Sequence, residues 1–194
     1  MKYLIVGLGN IGEEYEGTRH NIGFMAADAL LKKVDSAASF KLERHAYKTE
    51  LRYKGRILVV IKPTTYMNLS GKAVRYWMTT EKVPLQNVLV FVDDIALPVG
   101  ALRMKKQGSH GGHNGLADIE AVLGTANYCR LRIGVGDNFS RGHQIDYVLG
   151  RFTSDEMAIV QPRVEAAANA ALAFCTVGPD RAMNMFNGNN AATA

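Results

Sequence analysis

The sequence has 194 residues, of which 47% are hydrophobic and 21% charged. These proportions exclude disordered and collagen-like chains, and the length predicts one compact domain. The 23 Lys and Arg residues outnumber the 18 Asp and Glu residues, and the net charge of +5 favours an anionic partner.

The composition also bears on compartment and redox state. The sequence has no uninterrupted apolar run of about 18 to 20 residues, and residues 1–7 lack the features of a signal peptide. We therefore expect a cytoplasmic protein with no membrane partner. Cys129 and Cys175 are too few for a disulfide framework and lack the spacing of a structural zinc site, so we expect two reduced thiols in the core.

Short apolar runs alternate along the chain with helix-like segments. Strands are predicted at residues 3–6, 57–61, 88–92 and 131–135, and residues 47–55 predict a strand and turn that form a hairpin. Helices are predicted at residues 22–33, 71–79 and 116–123, and a long one begins near Asp155. This alternation predicts an α/β domain over residues 1–187, with a twisted mixed β-sheet flanked by helices, and a frayed tail over residues 188–194.

Helix ends have recognisable signals. Asn21 and Asn114 are predicted to be N-caps, and Gly124 ends the helix that follows Asn114. Residues 153–156 have the spacing of a capping box, while Pro162 is expected to kink this last helix or mark its true start.

Polar side chains follow three of the predicted strands: Asn10 after the first, Asn68 after the second and Asp93 at the end of the third. Ligands of open α/β sheets bind beyond the carboxyl ends of the strands, so these side chains predict a site. Residues 7–12 match G-x-G-x-x-G, but residues 13–17 lack a helical apolar stripe, which disfavours a dinucleotide cofactor. The glycines either form an ordinary tight turn or aim Asn10 into a cleft.

A histidine and a carboxylate form the first catalytic hypothesis. His20 lies at a loop-to-helix junction and accepts a proton near neutrality, and Asp93 is a candidate to orient it. The alternatives are a surface histidine and an ordinary turn acid. With no G-x-S-x-G motif and no histidine beside either cysteine, water is the predicted nucleophile.

A glycine-rich loop over residues 108–115 predicts close backbone approach to a substrate. His110 and His113 in this loop leave a zinc site open, although no Glu or Cys lies at helical spacing. Basic residues flank the loop, and they either contact phosphate or are simply solvated: Arg103, Lys105, Lys106, Arg130 and Arg132.

Five blocks of residues together resemble the bacterial peptidyl-tRNA hydrolase family. They lie within residues 6–23, 62–71, 93–100 and 108–115, and include Thr18-Arg19-His20-Asn21 and Tyr66-Met67-Asn68. The resemblance implies cleavage of the ester that joins a peptide to the 3′ terminal ribose of tRNA. It also implies a monomer with no metal and no organic cofactor, whose partner is the acceptor end and terminal phosphate of peptidyl-tRNA.

The resemblance also assigns roles to residues. It implies that His20 is the general base, that Asp93 holds it, and that Asn10 helps to distinguish N-blocked substrates. Basic residues for the terminal phosphate match Lys105 and Arg132. Substrate contacts are assigned to Tyr15, Tyr66, Met67, Asn68, His113 and Asn114.

Two positions depart from the family pattern, because Ile11 and Asn138 stand where proline is frequent. The first leaves the turn at Asn10 less rigid, and the second leaves the conformation of the lid-like segment 138–147 open. We predict that neutral His20 deprotonates water while Asn68 and Asn10 stabilise the oxyanion and Asn114 places water or substrate. A non-catalytic RNA-binding module and a zinc-dependent hydrolase are the alternatives.

Overall fold

The computed structural model describes residues 1–188, which contain seven β-strands and six α-helices. The strands are β1 (Lys2–Gly7), β2 (Lys41–Glu43), β3 (Ala46–Tyr53), β4 (Arg56–Pro63), β5 (Val88–Asp94), β6 (Leu102–Lys105) and β7 (Cys129–Gly134). The helices are α1 (Ile22–Val34), α2 (Ser70–Glu81), α3 (Asn114–Leu123), α4 (Gln144–Val148), α5 (Ser154–Val177) and α6 (Pro179–Phe186).

All seven strands form one sheet in the order β2-β3-β4-β1-β5-β7-β6. The four central strands β4, β1, β5 and β7 are parallel, and antiparallel strands close both sides. The predicted mixed sheet is therefore confirmed. The carboxyl ends of the parallel strands all reach the same edge of the sheet, where a ligand site is expected.

Alternating side chains of the central strands build a core on each face of the sheet. Ile5 and Phe91 pack with α1 and α5 on one face, whereas Val6 and Val90 pack with α2 and α3 on the other. All four are fully buried. Strands covered on both faces lose their polar positions, which explains the continuous apolar runs in the sequence.

Several local signals are confirmed. The hairpin between β3 and β4 turns at Lys54 and Gly55, both with positive φ. Thr153 and Glu156 form the capping box of α5 through hydrogen bonds in both directions, of 3.1 and 2.9 Å. Gly124 ends α3 in the left-handed conformation. Both cysteines are buried, and burial raises the pKa of Cys129 to about 11 and of Cys175 to about 12, so they are inert thiols.

Other local predictions are wrong. His113, not Asn114, is the N-cap of α3, because its ring accepts from the backbone N–H groups of Gly115 and Leu116. Pro162 does not mark the start of the last helix, since the capping box already starts α5 at Ser154 and the helix continues through the proline. The prediction that Asn21 is the N-cap of α1 is confirmed in its position, although the side chain makes no cap hydrogen bond.

The sequence patterns did not reveal β2, β6, α4 and α6. Strand β6 has only two buried apolar residues, Leu102 and Met104, which alternate with exposed cations and therefore look like a charge cluster. Asn187 secures this strand by hydrogen bonds of 2.6 and 2.8 Å to the backbone of Met104. Of the tail predicted to be frayed, residues 189–194 lie outside the described residues. Among residues 1–188, no helix combines the length and apolarity that a membrane span requires.

Candidate active site

A cavity of about 330 Å³ opens at the carboxyl edge of the sheet. It lies beyond the ends of β1, β4 and β5, between the glycine-rich loop and α4. Predicted site residues that line it are Asn10, His20, Tyr66, Met67, Asn68, Asp93, His113, Asn114 and Arg132. Segments that are distant in sequence converge here because they follow neighbouring parallel strands.

Asp93 and His20 form the centre of the cavity. Asp93 is 4% exposed at the end of β5, and His20 lies in the single turn Arg19–Asn21 that precedes α1. The Nδ1 atom of His20 is 2.7 Å from Oδ2 of Asp93. A carboxylate accepts hydrogen bonds, so this contact places the proton on Nδ1 and leaves Nε2 of a neutral His20 with a free lone pair.

His113 binds the other oxygen of the same carboxylate. Its Nε2 atom is 2.7 Å from Oδ1 of Asp93, and its Nδ1 atom accepts from the N–H groups of Gly115 at 3.1 Å and Leu116 at 3.3 Å. The two backbone donors require a lone pair on Nδ1, so the ring proton of His113 lies on Nε2 and points at Asp93. Asp93 is therefore a shared acceptor between two imidazoles.

This arrangement determines the electrostatics of the centre. Burial alone would lower the pKa of His20, but the charge and hydrogen bond of Asp93 outweigh it and raise the pKa above the ordinary value. Burial alone would raise the pKa of Asp93, but the two histidine contacts hold it well below its usual range. Asp93 therefore stays ionised throughout the range in which His20 titrates.

Asn10 is held by its own polar groups. Its Oδ1 accepts from the backbone N–H of Met67 at 2.7 Å, and its backbone exchanges two hydrogen bonds of 2.8 Å with the Asn21 side chain. These bonds engage the Asn21 side chain, which explains why it makes no cap hydrogen bond to α1. The bonds hold the turn although Ile11 stands where the family often has proline. With Oδ1 engaged, the Asn10 amide can offer only its Nδ2–H groups to a substrate.

Tyr66, Asn68 and Asn114 are exposed residues around the mouth of the cavity. Tyr66 has φ +62° and ψ 158°, a conformation that is close to glycine-only and costs about 1 to 3 kcal/mol. The residue is 52% exposed. Nothing in the sequence indicated this strained backbone, which turns the chain so that Met67 N–H reaches Asn10.

The predicted basic cluster divides into two groups. Arg130 is fully buried and donates to the carbonyls of Gly108, Ala126 and Tyr128, so it holds the loop and is not a phosphate contact. Arg132 lines the cavity and donates to the carbonyl of Ser109 at 2.8 Å.

Arg103 and Lys105 are exposed on the edge strand β6, where Arg103 is paired in register with Arg132. Side chains at paired positions share one face of a sheet, so the two guanidinium groups lie on the same face. Lys105 and Tyr15 are not among the residues that line the cavity. The sequence patterns did not indicate two further residues that line the cavity, Ile145 in α4 and Leu149 directly after it.

Among residues 1–188, one group of side chains has the spacing for a metal ion: His20, Asp93 and His113. A ring nitrogen of each histidine lies 2.7 Å from a carboxylate oxygen of Asp93. Tetrahedral zinc ligands at about 2.0 to 2.1 Å from the ion would lie about 3.3 Å apart, so these contacts have the geometry of hydrogen bonds. His110, the other predicted ligand, is not part of this group.

Comparison with known proteins bears on the reaction. The family model "Peptidyl-tRNA hydrolase" matches residues 4–194. Over 187 residues, 96% of this chain, it is 55% identical to the peptidyl-tRNA hydrolase of Cytophaga hutchinsonii and 56% identical to that of Bacteroides fragilis, covering 98% and 99% of those proteins. The crystal structure of peptidyl-tRNA hydrolase from Acinetobacter baumannii superposes with a TM-score of 0.91 at 32% identity, covering 97% of this chain and 96% of that one.

Proposed function

The chain belongs to the peptidyl-tRNA hydrolase family, and we propose that its cavity performs the family's reaction with His20 as general base. The reaction is hydrolysis of the ester between a peptide and the 3′ terminal ribose of tRNA, which releases free tRNA and peptide. Since the substrate arises in translation, we place the protein in the cytoplasm. We further propose that it acts as a monomer.

The contact of 2.7 Å between His20 and Asp93 is the observation on which the mechanism rests. Neutral His20 accepts a proton at Nε2 from a water molecule as that water attacks the ester carbonyl. The ionised Asp93 stabilises the imidazolium that forms and keeps the ring oriented. The proton then passes from His20 to the departing ribose oxygen, and the base is restored. Such general-base assistance contributes about 10²- to 10⁴-fold.

Side-chain amides stabilise the negative charge that develops on the carbonyl oxygen. The exposed Asn68 and the held amide of Asn10 supply N–H donors at the cavity wall, and Asn114 places water or substrate. A donor fixed before the reaction is worth about 10²- to 10³-fold. Asn10 meets this condition best, because its Oδ1 bond to Met67 restricts the amide.

The acceptor end of the tRNA binds on the cationic side of the cavity. We assign the terminal phosphate to Lys105 and Arg132, and the Arg103 guanidinium adds a third positive charge on the same strand pair. Tyr15, Tyr66, Met67 and His113 remain assigned to substrate contact. Both nitrogens of His113 are engaged, so its contact with substrate would be made through ring carbon atoms.

A direct assay uses N-acetyl-aminoacyl-tRNA with the purified chain, with and without chelator. We expect chelator-insensitive hydrolysis by the wild type. In His20→Ala the rate should fall by about 10²- to 10⁴-fold, while tRNA binding and the thermal transition are retained. Near-normal turnover by His20→Ala would exclude the base. Loss of activity with chelator, together with about one metal ion per chain, would favour a zinc-dependent hydrolase. Binding without any hydrolysis would leave an RNA-binding module.

A further inference from the structure

A second cavity, of about 470 Å³, lies on the other side of Asn10. Asn10 contributes to the walls of both cavities, so the two are neighbours at the carboxyl edge of the sheet. Asn21, which holds the Asn10 backbone, also lines the second cavity, but none of the roles assigned above uses its other residues. They include Glu13, Glu16, Phe24, Phe40, Tyr47 and Lys62.

The strand order arranges the chemistry along the edge of the sheet. The cations lie on β6 and β7, Asp93 is at the end of β5, and Asn10 follows β1. Lys62 on β4 and Tyr47 on β3 are paired in register and line the second cavity. With about 4.8 Å between neighbouring strands, β4 and β3 lie about 10 and 14 Å from β5.

The floor of the second cavity is aromatic and nearly neutral. The Nζ atom of Lys62 lies 4.3 Å from the ring centre of Phe40, 5.8 Å from Phe24 and 6.0 Å from Tyr47. Its charge is paired with Asp28 at 2.6 Å. Such a surface accepts apolar side chains and the aliphatic stems of long ones.

The rim of the second cavity is acidic. Glu13 and Glu16 are exposed, and neither makes an ion pair within residues 1–188. A phosphate backbone would be repelled here, whereas exposed cations lie on β6 at the other side of the sheet, Arg103 level with Arg132 and Lys105 level with Arg130 toward the amino end of β7. This separation of charge would orient the substrate with its tRNA toward β6 and its peptide toward β3.

We propose that the second cavity binds the upstream residues of the peptide moiety, a proposal that rests on the function proposed above. An extended peptide advances about 3.3 to 3.6 Å per residue, so the third and fourth residues from the ester reach the span between β4 and β3. The aromatic floor takes their aliphatic portions, and the acidic rim favours basic over acidic side chains. An N-acetylated single residue does not reach this subsite.

The test compares two acetylated tetrapeptidyl-tRNAs that carry Lys or Glu at both the third and fourth positions from the ester. At low salt the wild type should hydrolyse the Lys substrate with a kcat/KM about 5- to 20-fold higher, given that each exposed charge contact contributes about 2- to 5-fold. The double variant Glu13→Gln/Glu16→Gln should reduce that ratio to about 1 to 2. Glu165→Gln changes an exposed carboxylate of α5 that lines neither cavity, so it is the matched control and should keep the wild-type ratio.

Acetyl-aminoacyl-tRNA reports on the reaction centre in the same experiment. If the wild type cleaves this short substrate but shows a Lys-to-Glu ratio near 1, the subsite is excluded while the proposed function stands. If the ratio persists in the double variant, the acidic rim is excluded as its cause. Failure to cleave any of the three substrates would instead overturn the proposed function. Tyr47→Ala removes one of the aromatic rings that line the second cavity, so it should raise KM for both tetrapeptidyl substrates alike.

Discussion

Asp93 is the residue whose environment determines the chemistry of the site. It accepts from His20 at one oxygen and from His113 at the other, each at 2.7 Å. His113 has no freedom to reverse its ring, because Gly115 and Leu116 donate to its Nδ1 atom. The helix that begins at Asn114 therefore determines which tautomer His113 adopts. His113 in turn requires an acceptor at position 93, which keeps the second oxygen available for His20.

The pKa of His20 determines how activity depends on pH. Because Asp93 raises the pKa of His20 above its ordinary value, kcat/KM should rise with pH through an apparent pKa above 6.5. In Asp93→Asn the burial of His20 is no longer opposed, so this acidic limb should move to lower pH. The plateau rate should also fall, but by less than in His20→Ala, because the minor tautomer of His20 still has a free lone pair on Nε2. A pH profile of kcat/KM checks this, and an unmoved acidic limb would contradict the role of Asp93.

The same variant carries a second expectation, which concerns the tautomer. In Asp93→Asn the amide oxygen must face His113, which donates from Nε2. The amide N–H₂ group then faces Nδ1 of His20, so the ring proton of His20 moves to Nε2. A proton on Nε2 prevents His20 from accepting one from water. Adding His113→Ser, which retains an N-cap acceptor, lets the amide reverse. The double variant should recover part of the rate lost in Asp93→Asn. Equal rates for the single and double variants would show that His113 does not control the orientation of residue 93.

At the scale of elements, Arg19 connects the turn that carries His20 to the helices behind it. Its guanidinium is 2.8 Å from Glu156 at the start of α5 and donates to the carbonyl of Tyr147 in α4. It also lies 4.1 Å from the ring centre of Tyr147. The side chain is only 10% exposed, so these contacts are shielded from solvent. Three segments are thus held together by the neighbour of His20, the proposed base.

We expect Arg19→Gln to lower the free energy of unfolding by about 1 to 3 kcal/mol, because it removes a charged donor from partly buried acceptors. Glu156→Gln keeps an oxygen for the Thr153 cap but loses the ion pair, so its effect should be smaller. Chemical denaturation of both variants and of the double variant gives the coupling free energy. About 0.5 kcal/mol or more is expected for groups in contact. Additive effects would mean that the pair contributes nothing.

At the scale of the whole molecule, the net charge of +5 is distributed unevenly around the site. Arg103 and Arg132 are paired across β6 and β7, and like charges at paired positions repel each other. Asp94 lies 3.7 Å from the Arg132 guanidinium and offsets part of this repulsion, and the proposed phosphate would offset the rest. Glu13 and Glu16 lie beside the second cavity, on the side of β3 and β4, so the charge is polarised along the direction in which the strands are ordered.

This distribution predicts a modest salt dependence of tRNA binding. With Lys105 and Arg132 on one or two phosphates, log K should fall with log salt with a slope of about −1 to −2. Lys105→Ala should reduce the slope by about 0.7 to 0.9 and raise KM more than it lowers kcat. The matched control is Lys33→Ala, an exposed lysine near the far end of α1. An unchanged slope in Lys105→Ala would show that Lys105 is an ordinary solvated lysine and does not contact phosphate.

What could be predicted from the sequence is what depends on near neighbours in the chain. Apolar runs identified the central strands because strands buried on both faces have no polar positions, and the capping box identified the start of α5. Asn10, Asn68 and Asp93 could be named because they follow the strand ends, whereas most of the substrate contacts were assigned through the family resemblance. Strand β6 was not predicted because it has only two buried apolar residues. They are held in the core by pairing with β7 and by the hydrogen bonds from Asn187, and neither contact is visible in the local sequence.

Only the tertiary structure decided how the site residues share their hydrogen bonds. Positions 20, 93 and 113 are far apart in sequence, and nothing local shows that one carboxylate serves both imidazoles. The buried state of Arg130 and the half-buried state of Arg132 likewise depend on which carbonyls the folded loop presents, although the two residues alternate on one strand. A sequence pattern records which groups are available, whereas a hydrogen bond requires two groups to meet at a short distance, and folding alone determines that distance.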